Sequence, residues 1–109
     1  MNQLDRQRQI NENARLIDFH SRSGSHVNCI RINTNNSLEH EMEKLKICYN
    51  LKKEGRDFLT EAVFENKKGI ADIVDLVLGI IIEVQHTESD ESIKNKSLKY
   101  PLEMEVVRV

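Results

Sequence analysis

The sequence predicts a small α/β domain, ordered helix, three strands, helix, strand, and three observations carry that prediction. The chain has 109 residues, of which 39% are apolar and 31% charged, so it can bury one compact core and is too short for two. Apolar side chains recur at helical spacing from Leu38 to Tyr49. Three runs rich in β-branched residues and Leu or Phe follow, with too little chain between the last two for a crossover helix.

The first third is the least patterned. Residues 4–18 are polar, with Leu4, Ile10, Leu16 and Ile17 as anchors, and read as a loosely amphipathic helix. Residues 19–36 are rich in Ser, Asn and His and read as loop, with a short strand expected from Val27 to Ile32. Residues 1–36 are therefore expected to form a partly helical N-terminal arm, and residues 37–109 the core. Asn36 is the expected cap of the next helix, with Glu39 three residues on in the manner of a capping box. Leu38, Met42, Leu45 and Tyr49 then define its apolar face, and Gly55 ends it after Lys52 and Lys53.

Strands are expected over residues 57–65, 70–78 and 80–86, the last two as an antiparallel hairpin turning at Leu78-Gly79. That turn pairs Val77 with Ile80, Val74 with Glu83 and Asp72 with Gln85. Asp72, Glu83 and Gln85 then share one face, with the two acids diagonal. Thr87 opens a second helix, acidic in its first turn at Glu88, Asp90 and Glu91, which carries Ile93 and Leu98 and ends before Pro101. Tyr100-Pro101 leads into a last strand from Glu103 to Val109.

The charges are asymmetric. Residues 1–36 hold five Arg against Asp5, Glu12 and Asp18, while residues 37–109 hold 11 bases and 15 acids, so a net charge of −2 hides a basic arm and an acidic core. Asp72, Asp75 and Glu83 lie inside the most apolar stretch, IADIVDLVLGIIIEVQ. Acids there are costly unless paired or bound to a cation. Converging carboxylates raise each other's pKa unless a cation sits between them, and hard oxygen ligands suit Mg²⁺ or Mn²⁺. His20, His26 and Cys29 lack the spacing of a zinc site. No apolar run reaches the length of a membrane span, no signal-peptide pattern opens the chain, and the two cysteines are too few for a disulfide scaffold. The expectation is a reduced, cytoplasmic protein without a membrane partner.

A helix, a strand, a strand with Asp, a strand with Glu-x-Gln, a helix and a strand, in that order, resemble the core of the PD-(D/E)XK, or restriction-endonuclease-like, nucleases over residues 37–109. The motif positions are Ala71-Asp72 and Ile82-Glu83-Val84-Gln85. The resemblance looks closest to competence-protein CoiA-like nucleases and archaeal junction-resolvase-like relatives, which have a His-x-x-x-Lys pair in the first helix, matched here by His40 and Lys44, and tend to Gln at the motif lysine, matched by Gln85. It implies that Asp72, Glu83 and the backbone carbonyl of Val84 hold the Mg²⁺ or Mn²⁺, and that Gln85 stands where a lysine orients the attacking water. The missing cation is supplied by a migrated lysine, with Lys96 the candidate and Lys94 and Lys99 the alternatives, or it is not needed.

The neighbouring residues carry two readings each. His40 and Lys44, at i and i+4, contact substrate phosphate or the acidic cluster, or form a solvated helix face. Glu61 assists the metal or pairs with a lysine. Glu41 and Glu43 are helix-borne acids or solvated. Lys94, Lys96 and Lys99, with Arg6, Arg8, Arg15, Arg22 and Arg31, are the cations available to a phosphate backbone. The function implied is a Mg²⁺-dependent DNA endonuclease, structure-selective rather than sequence-reading and working as a homodimer. The alternative is a catalytically inactive nuclease fold that binds nucleic acid or a protein.

Overall fold

A computed structural model describes residues 2–23, 26–85 and 90–109. The elements are α1 (Gln3–Ala14), α2 (Leu38–Lys53), β1 (Phe58–Val63), β2 (Ile70–Asp75), β3 (Ile80–Gln85), α3 (Asp90–Lys99) and β4 (Glu103–Arg108). The order of elements expected from the sequence is therefore found. The strands form one mixed sheet in the order β1-β2-β3-β4, with β1, β2 and β3 antiparallel neighbours and β4 parallel to β3. Thr87 and Glu88, expected to open the last helix, lie outside the described residues.

Two apolar clusters pack on the sheet. One contains Ile10, Ile17, Leu59, Ala62, Phe64, Ala71, Val74, Ile81 and Tyr100. The other lies under α2 and contains Cys48, Leu51, Phe58, Ile73 and Ile82. Residues before position 37 thus supply Ile10 and Ile17 to the first cluster. Tyr100 packs against Phe64 with ring centroids 4.6 Å apart, and its hydroxyl donates to the Ile70 carbonyl at 3.3 Å.

Strand alternation would put Leu59 and Ala62 on opposite faces, and likewise Ala71 and Val74. Both pairs share one cluster. The phase reverses at Glu61, whose φ is +49°, and at Asp72 across from it; the paired positions Thr60–Ile73 and Ala62–Ala71 flank that rung. Both strands slip at the same place, so the register between them is kept.

Four expectations are corrected. Ser37, not Asn36, caps α2, its hydroxyl accepting from the His40 N–H at 3.1 Å. The stripe Leu38, Met42, Leu45, Tyr49 faces outward, 53% to 70% exposed, while α2 buries His40, Lys44, Cys48 and Leu51. A period of 3.6 fixes which residues share a face, not which face meets the sheet. Residues 27–32 form no strand: besides one backbone bond to β1, from the Asn28 N–H to the Phe58 carbonyl (2.9 Å), side chains hold them there instead of a ladder. The Thr60 hydroxyl accepts from the Arg31 N–H (2.9 Å) and donates to the Cys29 carbonyl (3.0 Å), and Asn28 Oδ1 accepts from the Phe58 N–H (3.0 Å).

The hairpin is the fourth. Its pairs are Ile73–Ile82, Val74–Ile81 and Asp75–Ile80, two residues from the expected register. Asp75 Oδ1 accepts from the N–H groups of Val77 and Leu78 (3.0 and 3.1 Å), and Gly79, at φ +69°, closes a longer turn than the expected Leu78-Gly79. An even shift keeps the alternation between β3 and residues 73–75, and it brings Asp72 level with Glu83. Asn13 of α1 clasps this turn, its amide donating to the buried Leu76 carbonyl at 2.7 Å. Asn13→Ala leaves that carbonyl unpaired and is expected to lower stability by about 1–3 kcal/mol, read from the midpoint of a urea unfolding curve.

Candidate active site

Glu61 of β1 and Asp72 of β2 meet the inner face of α2 at the rung where the two strands change phase, and Glu83 of β3 meets Asp72 there. Between β2 and β3 the ladder is completed by side chains. The Asp72 N–H donates to Glu83 Oε2 at 3.2 Å, and the Val84 N–H donates to Asp72 Oδ2 at 2.8 Å. The two carboxylates of the resemblance are therefore direct neighbours.

Glu83 is 4% exposed, and its Oε1 has no hydrogen-bond partner among the described residues. Lys96 Nζ of α3 stands 4.0 Å from that oxygen. Burial, and then the Asp72 carboxylate, push the Glu83 carboxyl up to about 8; Tyr100 and Lys96 oppose the shift. A raised carboxyl pKa makes the folded state hold its proton longer than the unfolded chain does. The stabilising contribution is complete below the ordinary glutamate value of 4.5 and is lost as pH rises through about 8. In a chelator, wild-type stability should fall relative to Glu83→Gln across that window. Parallel urea midpoints for the two proteins would refute the shift.

On the α2 side, His40 is the link. Its Nε2 lies 3.2 Å from Asp72 Oδ2 and its Nδ1 2.7 Å from Glu41 Oε2. Lys44 has no exposed side-chain surface, and its ammonium donates to Glu41 Oε1 (2.7 Å), Glu61 Oε1 (2.9 Å) and the Arg31 carbonyl (2.7 Å). Burial works against that charge, but the Glu41 and Glu61 carboxylates outweigh it and hold the Lys44 pKa above its ordinary value. Burial likewise opposes ionisation of Glu41, while the Asn33 N–H, Lys44 and His40 more than offset it and hold the carboxyl at about 2. The left-handed Glu61 aims its carboxylate at Lys44 instead of continuing the ladder.

The structure thus brings together Asp72, Glu83, His40, Lys44, Glu61 and Lys96. Of the readings of Lys44, the structure shows the contact with the acidic cluster: its three donors are all engaged in the interior, where it is a buried counter-ion. Gln85 is buried on β3, and its Oε1 is unpartnered among the described residues. Lys94 and Lys99 are exposed on α3, and Lys96 and Lys99 line a surface groove of about 450 Å³ with Glu91, Ser92 and Asn95. Glu41, expected as a solvated or helix-borne acid, is an anchor of the network, and Lys44 one helical turn on is the sequence signal for it. The Cys48 thiol beneath α2 is pushed up to about 12 by burial, so it is inert.

Among the described residues no three His, Cys, Asp or Glu side chains converge as a ready metal cage. The donor set fits Mg²⁺ or Mn²⁺ in a leaner form. Mg²⁺ is commonly bound through one or two carboxylates, with water and substrate phosphate completing the octahedron. Asp72 with the orphaned Glu83 Oε1 offers that much. Comparison with known families, curated proteins and solved structures finds no match for this chain.

Proposed function

We propose that this protein is a Mg²⁺- or Mn²⁺-dependent DNA endonuclease that hydrolyses phosphodiester bonds and selects its substrate by structure. The observation that supports it is the buried, unpartnered Glu83 Oε1 beside Asp72, with the Lys96 ammonium at 4.0 Å. A buried carboxylate oxygen without a donor is a cost to the fold that a cation would remove. When bound, such a cation would offset charge on the scissile phosphate and lower the pKa of the attacking water.

The chain's own residues would divide the remaining work. Asp72 and Glu83 hold the cation, with the Val84 carbonyl as the proposed third oxygen. Gln85, two residues from Glu83 and so on its face, orients the water. Lys96 supplies the positive charge that glutamine cannot, and Lys94 and Lys99 on the same helix take the phosphate backbone. His40 fixes the Asp72 carboxylate. Of the N-terminal cations, Arg6 is engaged with Asp57 (3.3 Å) and Arg22 with the Ala14 carbonyl (3.4 Å), which leaves Arg8, Arg15 and Arg31, all exposed, as further phosphate contacts. A homodimer belongs to the proposal, since a 109-residue chain offers little surface to a branched duplex.

A second reading, a nuclease fold that binds nucleic acid or a protein without cleaving, is favoured by one observation: Asp72 Oδ2 is already engaged by His40 and the Val84 N–H. The test is a panel of duplex, single-stranded, junction and flap DNA with Mg²⁺, Mn²⁺ or chelator, run beside Glu83→Ala. Metal-dependent cleavage by the wild type alone supports the nuclease. DNA retention without cleavage in any metal supports the second reading.

A further inference from the structure

We infer that the outer face of α2 is a self-association surface, on which a second copy of this chain packs its own α2 antiparallel about a two-fold axis. Leu38, Met42, Leu45 and Tyr49 form one stripe, more than half exposed, and Ile32, 74% exposed, extends it. Ile30, Ile32, Leu38, Met42 and Leu45 line a groove of about 530 Å³ there. The spacing 4, 3, 4 is that of the a and d positions of a helical seam, and the opposite face of α2 is already spent on the sheet. So apolar a groove does not suit a phosphate backbone.

Charge identifies the occupant. Every acid of α2 (Glu39, Glu41, Glu43) lies in its N-terminal half, and every lysine but the buried Lys44 (Lys46, Lys52, Lys53) in its C-terminal half. A parallel copy would oppose like to like. An antiparallel copy sets Met42 against Leu45 and Leu38 against Tyr49, and it lays Glu39 along Lys46 and Lys53 of the second helix, all three of which are exposed. Two-fold symmetry makes each contact twice, as an isologous interface requires. Tyr49 of the second copy then falls beside Leu38, on the wall of the groove.

The inference stands whether or not the chain cleaves DNA, because its readout is mass. Sedimentation equilibrium of the full chain should give twice the monomer mass, and Leu45→Glu should halve it with the circular dichroism spectrum retained. Glu39→Lys and Lys46→Glu should each weaken association by roughly three- to tenfold, and the double swap should recover part of that loss, since it re-creates opposite charges between positions 39 and 46 only in the antiparallel arrangement, while Lys53 then faces a like charge. A monomeric wild type up to millimolar concentration overturns the inference. So does a dimer that Leu45→Glu leaves intact, or a double swap that fails to recover.

Discussion

Glu83→Ala and Asp72→Ala are each expected to reduce DNA cleavage by roughly 100-fold or more, because each removes one of the two carboxylates offered to the cation. Loss of a mere outer partner of a metal ligand already costs about 10–100-fold, and the ligand itself should cost no less. What distinguishes Glu83 is the sign of the stability effect. Its carboxyl is buried, lacks a partner for Oε1 and is held up to about 8. Without divalent cation, Glu83→Gln should therefore be as stable as the wild type or more so above pH 8, while cleavage is lost. A purely structural acid would lose both together. Single-turnover rates beside urea unfolding, in magnesium and in chelator, separate the cases. Cleavage within about tenfold of wild type in both alanine variants would remove the two acids from the chemistry.

Lys44→Met should be the most destabilising single change on α2, by about 3–5 kcal/mol. Methionine keeps most of the stem volume but leaves Glu41 and Glu61 facing each other without the ammonium that bridges them. The stability of a small domain is itself only about 5–15 kcal/mol, so the variant should unfold at much lower urea. The defect should shrink as pH falls and the two stranded carboxylates take up protons. Replacing both of them by glutamine in the Lys44→Met background should recover part of the loss. A midpoint unchanged from wild type would mean that solvent, and not Lys44, satisfies those acids.

Element order was legible in the sequence because it rests on local pattern: β-branched runs, Gly55 past the helix end, Pro101 before the last strand. What escaped depends on side chains closing backbone bonds. Asp75 turned a two-residue hairpin loop into a longer one, and Thr60 took the place of a ladder for residues 29–31. The outward turn of Leu45 and Tyr49 escaped for another reason. Hydrophobicity ranks Lys44 as surface, yet a lysine with three acceptors around its ammonium can be fully buried, and it carries its whole helix face inward. The two-residue shift moved Glu83 from diagonal to level with Asp72, so the two acids remained neighbours.

The rung at which both strands change phase has a mechanical consequence. The sheet there is closed by carboxylates, which unlike a backbone carbonyl can change charge or exchange one partner for another. Where β2 meets β3 two backbone N–H groups end on the Asp72 and Glu83 carboxylates, so protonation or replacement of either side chain acts on the pairing of the strands themselves.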